Sequence, residues 1–282
     1  IPVLLNLLAN CTVLFLLYFN RNTGEGTLIQ LSLIYSLPIL TILFVATFFL
    51  FNSRYKLYRP SILFFRFKYA KNLGGLGIKF FALQIEMLVL IQLANYLIII
   101  FFGSSEVVQY NIAYKYFMVV QLLLVTVMNT YWSAFTDAIT LNDMKWIKNT
   151  MQNLRKVWFI LVPISLLMLI FSNDFYHFWV GDVIEIPLII SVSMCVWILI
   201  EAWNSIFEYF LNASSKLYIA LTTALITSII YLPLTFFMIK KLEFGVEGIV
   251  IAVIICRLIN ALILPVQYKL VINNKAQGFW NK

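Results

Sequence analysis

Eight long apolar runs separated by short polar connections make up most of the chain: residues 2–19, 28–51, 78–102, 107–135, 157–171, 187–210, 217–239 and 248–268. A helix needs about 20 mainly apolar residues to cross the roughly 30 Å hydrocarbon core of a bilayer. Each run is therefore read as a span, and the fold class as an all-α polytopic transmembrane helix bundle. The fifth run is short and the fourth long. Pro38, Pro163, Pro233 and Pro265 fall inside spans, where neighbouring helices can satisfy the carbonyls that proline frees.

The polar connections alternate in character. Residues 52–79 carry Arg54, Lys56, Arg59, Arg66, Lys68, Lys71 and Lys79 without an acid, which places this connection in the cytoplasm. Counting spans outward, residues 137–156 and the tail with Lys269, Lys275 and Lys282 also fall inside. The remaining connections are neutral, acidic or charge-balanced, so a single topology fits all of them, with the C-terminus cytoplasmic. The basic connection also divides the chain. Residues 1–51 read as the last two helices of an N-terminal half, 52–77 as a basic cytoplasmic linker, and 78–282 as a six-helix C-terminal half with its tail. Two spans before the linker and six after it are what remains of two six-helix halves when the first four helices are missing. Ile1 is not a methionine, and the chain is apolar from its start, so it is read as lacking its beginning. Within the linker, residues 62–71 mix aromatics and bases, as either an interfacial helix or a solvated linker does.

Composition sharpens the class. The chain is 62% hydrophobic and 11% charged, whereas soluble domains are about half apolar and a quarter charged. Its net charge of +8 sits in the connections between spans, which excludes a nucleic-acid surface. Cys11, Cys195 and Cys256 are scattered within apolar runs and support neither a disulfide framework nor a metal site. The sequence Gly74-Gly75-Leu76-Gly77-Ile78-Lys79 lacks phosphate-loop spacing, which disfavours an intrinsic ATPase. No cofactor and no metal are expected.

Charge inside apolar helices is costly and marks candidate sites. On the third span, Gln84, Gln92 and Asn95 share one face, and Lys79 with Glu86 lies nearly opposite. One face meets helices and the other a cavity, or Lys79 and Glu86 simply fix the helix near the surface. On the fourth span Asn111, Lys115, Thr126, Asn129, Ser133 and Thr136 form a polar stripe, with Trp132 beside it. Lys115 either contributes to that stripe or snorkels to headgroups. On the sixth span Trp197, Glu201, Asn204 and Glu208 share a face, and the last span carries Arg257 near its centre, with Asn260 one turn on. Arg257 has two readings: an ion pair with Glu201 or Glu86, or, with Lys115, part of a cationic cavity for an anionic substrate. The hydroxyls of the seventh span, Thr222, Thr223, Thr227 and Ser228, are assigned to helix packing. His177, among Phe175, Tyr176, Phe178 and Trp179, is read as an interfacial-belt residue.

Residues 74–138 resemble the polysaccharide-transporter branch, the O-antigen flippase type, of the multidrug/oligosaccharidyl-lipid/polysaccharide flippase superfamily. The resemblance rests on Gly77-Ile78-Lys79-Phe80-Phe81, the polar break Gln92-Leu93-Ala94-Asn95, and residues 107–117 ending Tyr114-Lys115-Tyr116-Phe117. Trp132-Ser133-Ala134-Phe135-Thr136-Asp137-Ala138 and Asp143-Met144-Lys145-Trp146-Ile147 complete it. Thr130-Tyr131 stands where many relatives have a proline, and Ala94-Asn95 where many have an acid beside the asparagine.

This resemblance implies a bundle of about 12 to 14 helices in two pseudo-repeated halves. It implies a multi-pass protein of the bacterial cytoplasmic (inner) membrane that is not an enzyme. Its work would be to flip an undecaprenyl-diphosphate-linked oligosaccharide repeat unit by alternating access, for O-antigen (lipopolysaccharide) or capsule biosynthesis. Lys115 and Arg257 are then the expected anion contacts, Asn111, Asn129 and Trp132 the sugar contacts, and Glu86, Glu201 and Asp137 the gating or proton-coupling groups. The expected partners are the polyprenyl-diphosphate-linked glycan, membrane lipids and other polysaccharide-assembly membrane proteins, with no nucleic acid. Two competitors stand beside this reading. A multidrug cation exporter of the same superfamily should show an acid-dominated cavity. A polysaccharide polymerase or glycosyltransferase should carry a large outer loop or soluble catalytic region, and residues 172–186 are too few for one.

Overall fold

The structure, a computed structural model, describes residues 2–20, 27–53, 55–61, 67–182 and 184–281. Among these it is helical with no strand. The helices are α1 (Pro2–Asn20), α2 (Leu28–Asn52), α3 (Phe67–Phe101), α4 (Ser104–Thr140) and α5 (Met144–Ile170), then α6 (Ser172–Val180), α7 (Leu188–Ala213), α8 (Tyr218–Lys240) and α9 (Val246–Ile272). Seven are long and apolar enough to cross a membrane, and the apolar part of α1, Leu5–Phe19, is shorter. The chain is a polytopic transmembrane helix bundle.

Two compact units divide at Ala70 and Lys71, inside the predicted linker. In the first, α1 and α2 pack on each other. Thr27 caps α2 through a reciprocal capping box with Gln30, which satisfies two of the donors a helix start leaves unpaired. Arg54 and the first half of the predicted interfacial segment, residues 62–66 with Arg66, lie outside the described residues, and from Phe67 onward the chain already belongs to α3. The glycines at 74, 75 and 77 do not interrupt that helix.

The second unit holds six of the spans, α3, α4, α5, α7, α8 and α9. Short connections make successive spans antiparallel, so the α4–α5 and α7–α8 loops and the C-terminal tail share one end, called here the tail end. The most buried span, α7, packs against α4, α5 and α9, and α8 packs on α9. With lipid outside, this association rests on close packing and interhelical hydrogen bonds rather than on water exclusion. Large rings supply much of it: Phe135 meets Trp146 and Phe210 edge-on, with centroids 5.9 and 5.6 Å away, and Phe210 in turn meets Tyr268. Pro265 lacks an N–H, so the Ala261 carbonyl one turn earlier loses its helical donor. The Trp203 indole of α7 donates to that carbonyl at 3.2 Å, joining α7 to α9 at the proline.

Besides the earlier start of α3, other boundaries move from those predicted. α5 begins at Met144 rather than at residue 157, because the helix continues past the apolar run into polar turns. Asn142 takes a positive φ of 56°, and Asp143 caps the helix by accepting from the Trp146 amide at 2.9 Å. The connection 172–186, read as a loop, contains α6, in which His177 Nδ1 lies 2.7 Å from Asp182 Oδ1.

Candidate functional site

Glu86 of α3, Glu201 and Glu208 of α7 and Arg257 of α9 converge inside the second unit. The Arg257 fork grips Glu201 with two hydrogen bonds, Nε to Oε2 at 2.7 Å and Nη2 to Oε1 at 2.8 Å. Its Nη2 also donates to Glu208 Oε1 at 2.9 Å, and Nη1 lies 3.8 Å from Glu86 Oε2. A guanidinium suits this arrangement because its planar donors fit a carboxylate two at a time. The spacing follows from the helix: Glu201 and Glu208, seven residues apart, stand two turns apart on one face of α7, so one side chain from α9 reaches both.

The surroundings hold these groups in place. Thr227 Oγ1 of α8 donates to Glu86 Oε1 at 2.7 Å, and the Asn204 amide donates to the Arg257 carbonyl at 3.0 Å. Arg257 is 3% exposed, and the side chains of Glu86 and Glu201 are 7% and 6% exposed, whereas that of Glu208 is 29% exposed. The first three groups thus form a buried core and Glu208 is its open edge. Three carboxyl groups thus face one guanidinium.

A cavity of about 110 Å³ adjoins the cluster, lined also by Leu83, Met87, Asn212 and Asn260. Leu83, Met87 and Asn212 are shared with a wider vestibule of about 430 Å³ that adds Phe80, Gln84 and Trp132. Trp132 sits between Phe80 and Tyr209, with ring centroids 5.8 and 5.6 Å away, and the Tyr209 hydroxyl donates to Asn129 at 2.9 Å. The vestibule therefore presents aromatic faces beside amide and hydroxyl groups. At about 10–15 Å³ of such volume per water, the inner cavity holds several waters or a small ion and no oligosaccharide.

The structure separates the sequence candidates. Arg257, Glu201 and Glu86 come together, so the ion-pair alternative for Arg257 describes its geometry, with Nε and Nη2 hydrogen-bonded and Nη1 at 3.8 Å from Glu86. Glu86 faces inward, Gln84 and Gln92 face outward, and the acid is held by Thr227 and Arg257 rather than by Lys79. Lys115 lies on the exposed face of α4 with Thr126, Asn129, Ser133 and Thr136. Asn111 is drawn into packing, donating to Asn95 Oδ1 at 2.7 Å. Asp137 is exposed on α4 near the tail end, apart from the glutamates. Of the vestibule residues, Gln84 belongs to the polar face read on the third span, whereas Tyr209 and Asn212 carried no such signal. Glu208 was visible as part of the Glu201 face, whereas Thr227 carried no distinguishing signal among its neighbouring hydroxyls.

Several solved structures share this fold. The crystal structure of MATE in the straight conformation matches with a TM-score of 0.70 at 12% identity, covering 96% of this chain and 62% of that one. The outward-facing conformation of a multidrug resistance MATE family transporter of the MOP superfamily matches with a TM-score of 0.69 at 13% identity over the same shares. The crystal structure of a MATE point mutant matches equally well. The chain spans 62% of the length of these structures, and it has the fold they share. No protein-family model matches the chain, and no curated protein does.

Proposed function

We propose that this chain is part of an alternating-access transporter of the MOP superfamily that flips a polyprenyl-diphosphate-linked oligosaccharide across the cytoplasmic membrane for surface polysaccharide assembly. The observation that carries the reading is the exposed polar stripe of α4 running down to the aromatic and amide vestibule at Trp132. A long polar headgroup crossing hydrocarbon needs successive hydrogen-bond partners along its whole path, because each unsatisfied polar group in lipid costs several kcal/mol. A small cation needs one local site.

In this reading Trp132, Asn129 and Tyr209 contact sugar, and Lys115, which is exposed, contacts the diphosphate. Asn111 positions α4 against α3. Arg257 balances the glutamates instead of meeting substrate directly. Glu86, Glu201 and Glu208 hold the coupling ion or proton in the small inner cavity, and Asp137 acts at the end of the stripe. By the distribution of basic residues the tail end is cytoplasmic. The fold shared with MATE transporters supports transport as the class of activity.

A second reading, a multidrug cation exporter, is favoured by the excess of three glutamates over one arginine at the cavity. Deletion of the full-length protein separates the two. Under the flippase reading, lipid-linked repeat units accumulate in the inner leaflet and surface glycan is lost. Normal surface glycan without precursor accumulation, together with new sensitivity to organic cations, would replace it with the exporter.

A further inference from the structure

The short helix α6 connects α5 to α7 at the end of the bundle opposite the tail. Phe175, Phe178 and Trp179 stand three and four residues apart and so share one face of it, and all three are exposed, Phe178 by 87%. Asn173 and His177, four residues apart, form a second, polar face. The helix is firmly seated: the Tyr176 hydroxyl lies 3.0 Å from Ser191 Oγ of α7, and the Phe175 ring centroid lies 4.6 Å from that of Tyr116 of α4. Exposed rings beside polar groups at the end of a span suit the boundary between acyl chains and headgroups.

The polar face of α6 opens on a pocket of about 450 Å³, lined by Gln109 of α4, Asn173 and His177 of α6, and Glu185, Ile186 and Pro187 of the connection into α7. The Asp182 carboxylate engages His177 Nδ1, which leaves Nε2 as the ring's remaining polar atom. Among the described residues, the side chains of Gln109, Asn173 and Glu185 make no hydrogen bond to another residue. The lining thus offers two amides that donate, and a carboxylate and an imidazole nitrogen that accept. Gln109 stands about 120° round α4 from Lys115, at 3.6 residues per turn, so the pocket is separate from the exposed polar stripe.

We propose that this pocket binds the headgroup of a zwitterionic aminophospholipid. The ammonium sits between Glu185 and His177 Nε2, the phosphate takes the amides of Gln109 and Asn173, and the acyl chains run along Phe175, Phe178 and Trp179. Charge and hydrogen bonding choose this headgroup. A primary ammonium donates three hydrogen bonds to such acceptors, whereas a quaternary choline has no N–H to donate. A headgroup of net negative charge meets Glu185 and the exposed Asp182 as like charges. The exposed rings favour a lipid over a soluble phosphoamine, because only a lipid brings chains to cover them. The site holds whatever cargo the chain moves, so it goes beyond the transport reading.

Photo-crosslinking in the full-length protein, reconstituted into phosphatidylcholine vesicles, tests the site without any transport. Phosphatidylethanolamine bearing a photoactivatable acyl chain should label residues 172–180 several-fold more than the matching phosphatidylcholine and phosphatidylglycerol probes. Glu185→Gln should remove most of that preference, and Gln109→Ala should weaken it. Labelling around the exposed Leu225 and Ile229 of α8, a surface any lipid covers, should be equal for the three probes in every variant. Equal labelling of residues 172–180 by the three probes, or a preference for phosphatidylglycerol there, overturns the site. So does a phosphatidylethanolamine preference that both substitutions leave untouched, or one that appears equally at α8.

Discussion

Arg257→Met should remove most of the full-length protein from the membrane fraction, with the residue at position 257 acting through the fold before any step of transport. The substitution leaves Glu86 and Glu201 buried and facing each other without a cation, and Glu208 without its partner. Breaking a buried ion pair by removing one member costs about 3–5 kcal/mol, a large share of the roughly 5–15 kcal/mol that keeps a typical domain folded. Arg257→Lys should be milder, since it keeps the charge and loses the fork that grips two carboxylates. The check is protein abundance in membranes, with thermal stability in detergent for whatever remains. Wild-type abundance and melting for Arg257→Met would mean that the cluster does not hold the helices together.

The second large effect is expected at Trp132, and there the fold should survive. Trp132 is half-buried and lines the vestibule between Phe80 and Tyr209. Trp132→Ala deletes the broadest apolar face presented to a passing sugar and leaves the glutamate cluster untouched. Leaflet transfer of the lipid-linked oligosaccharide should slow by about tenfold or more, equivalent to about 1.4 kcal/mol, at normal abundance. Trp132→Phe keeps a ring and should recover most of the rate. Equal transfer by wild type and Trp132→Ala would take the vestibule out of the substrate path. In an exporter governed by the glutamates alone, Glu208→Gln would be the damaging change and Trp132→Ala a mild one.

Much of the architecture was legible in the amino-acid order because lipid imposes so strict a rule: apolar runs long enough to cross become helices. What the runs could not show was where helices continue beyond the apolar region. α5 extends through Lys145, Lys148 and Arg155, which read as a loop because their polarity reports water and not backbone conformation. α3 runs through Gly74, Gly75 and Gly77, overriding about 1 kcal/mol of unfavourable propensity at each glycine.

The candidate site was legible in part for the same reason. Glu86, Glu201 and Arg257 stood out because isolated charge in a span demands a partner, and their meeting follows from that demand. Periodicity alone left the face of Glu86 open, and the structure turns it inward because Arg257 and Thr227 lie there. The α4 stripe was visible as a stripe, but its members do different things. Asn111 is used to pair with Asn95, whereas Lys115 and Ser133 remain on the exposed surface. Thr227 could not be singled out, since a helical threonine ordinarily bonds its own preceding turn, and the Thr223 carbonyl lies within reach of this hydroxyl at 2.9 Å.

Reconstitution decides most directly whether the vestibule and stripe serve a lipid-linked glycan. Full-length protein is placed in liposomes carrying a polyprenyl-diphosphate-linked oligosaccharide, and its appearance in the outer leaflet is followed with a membrane-impermeant lectin. Transfer well above that of protein-free liposomes, slowed by Trp132→Ala, is the expected result. Transfer at the protein-free rate, with the same liposomes moving an organic cation against its gradient, would contradict it.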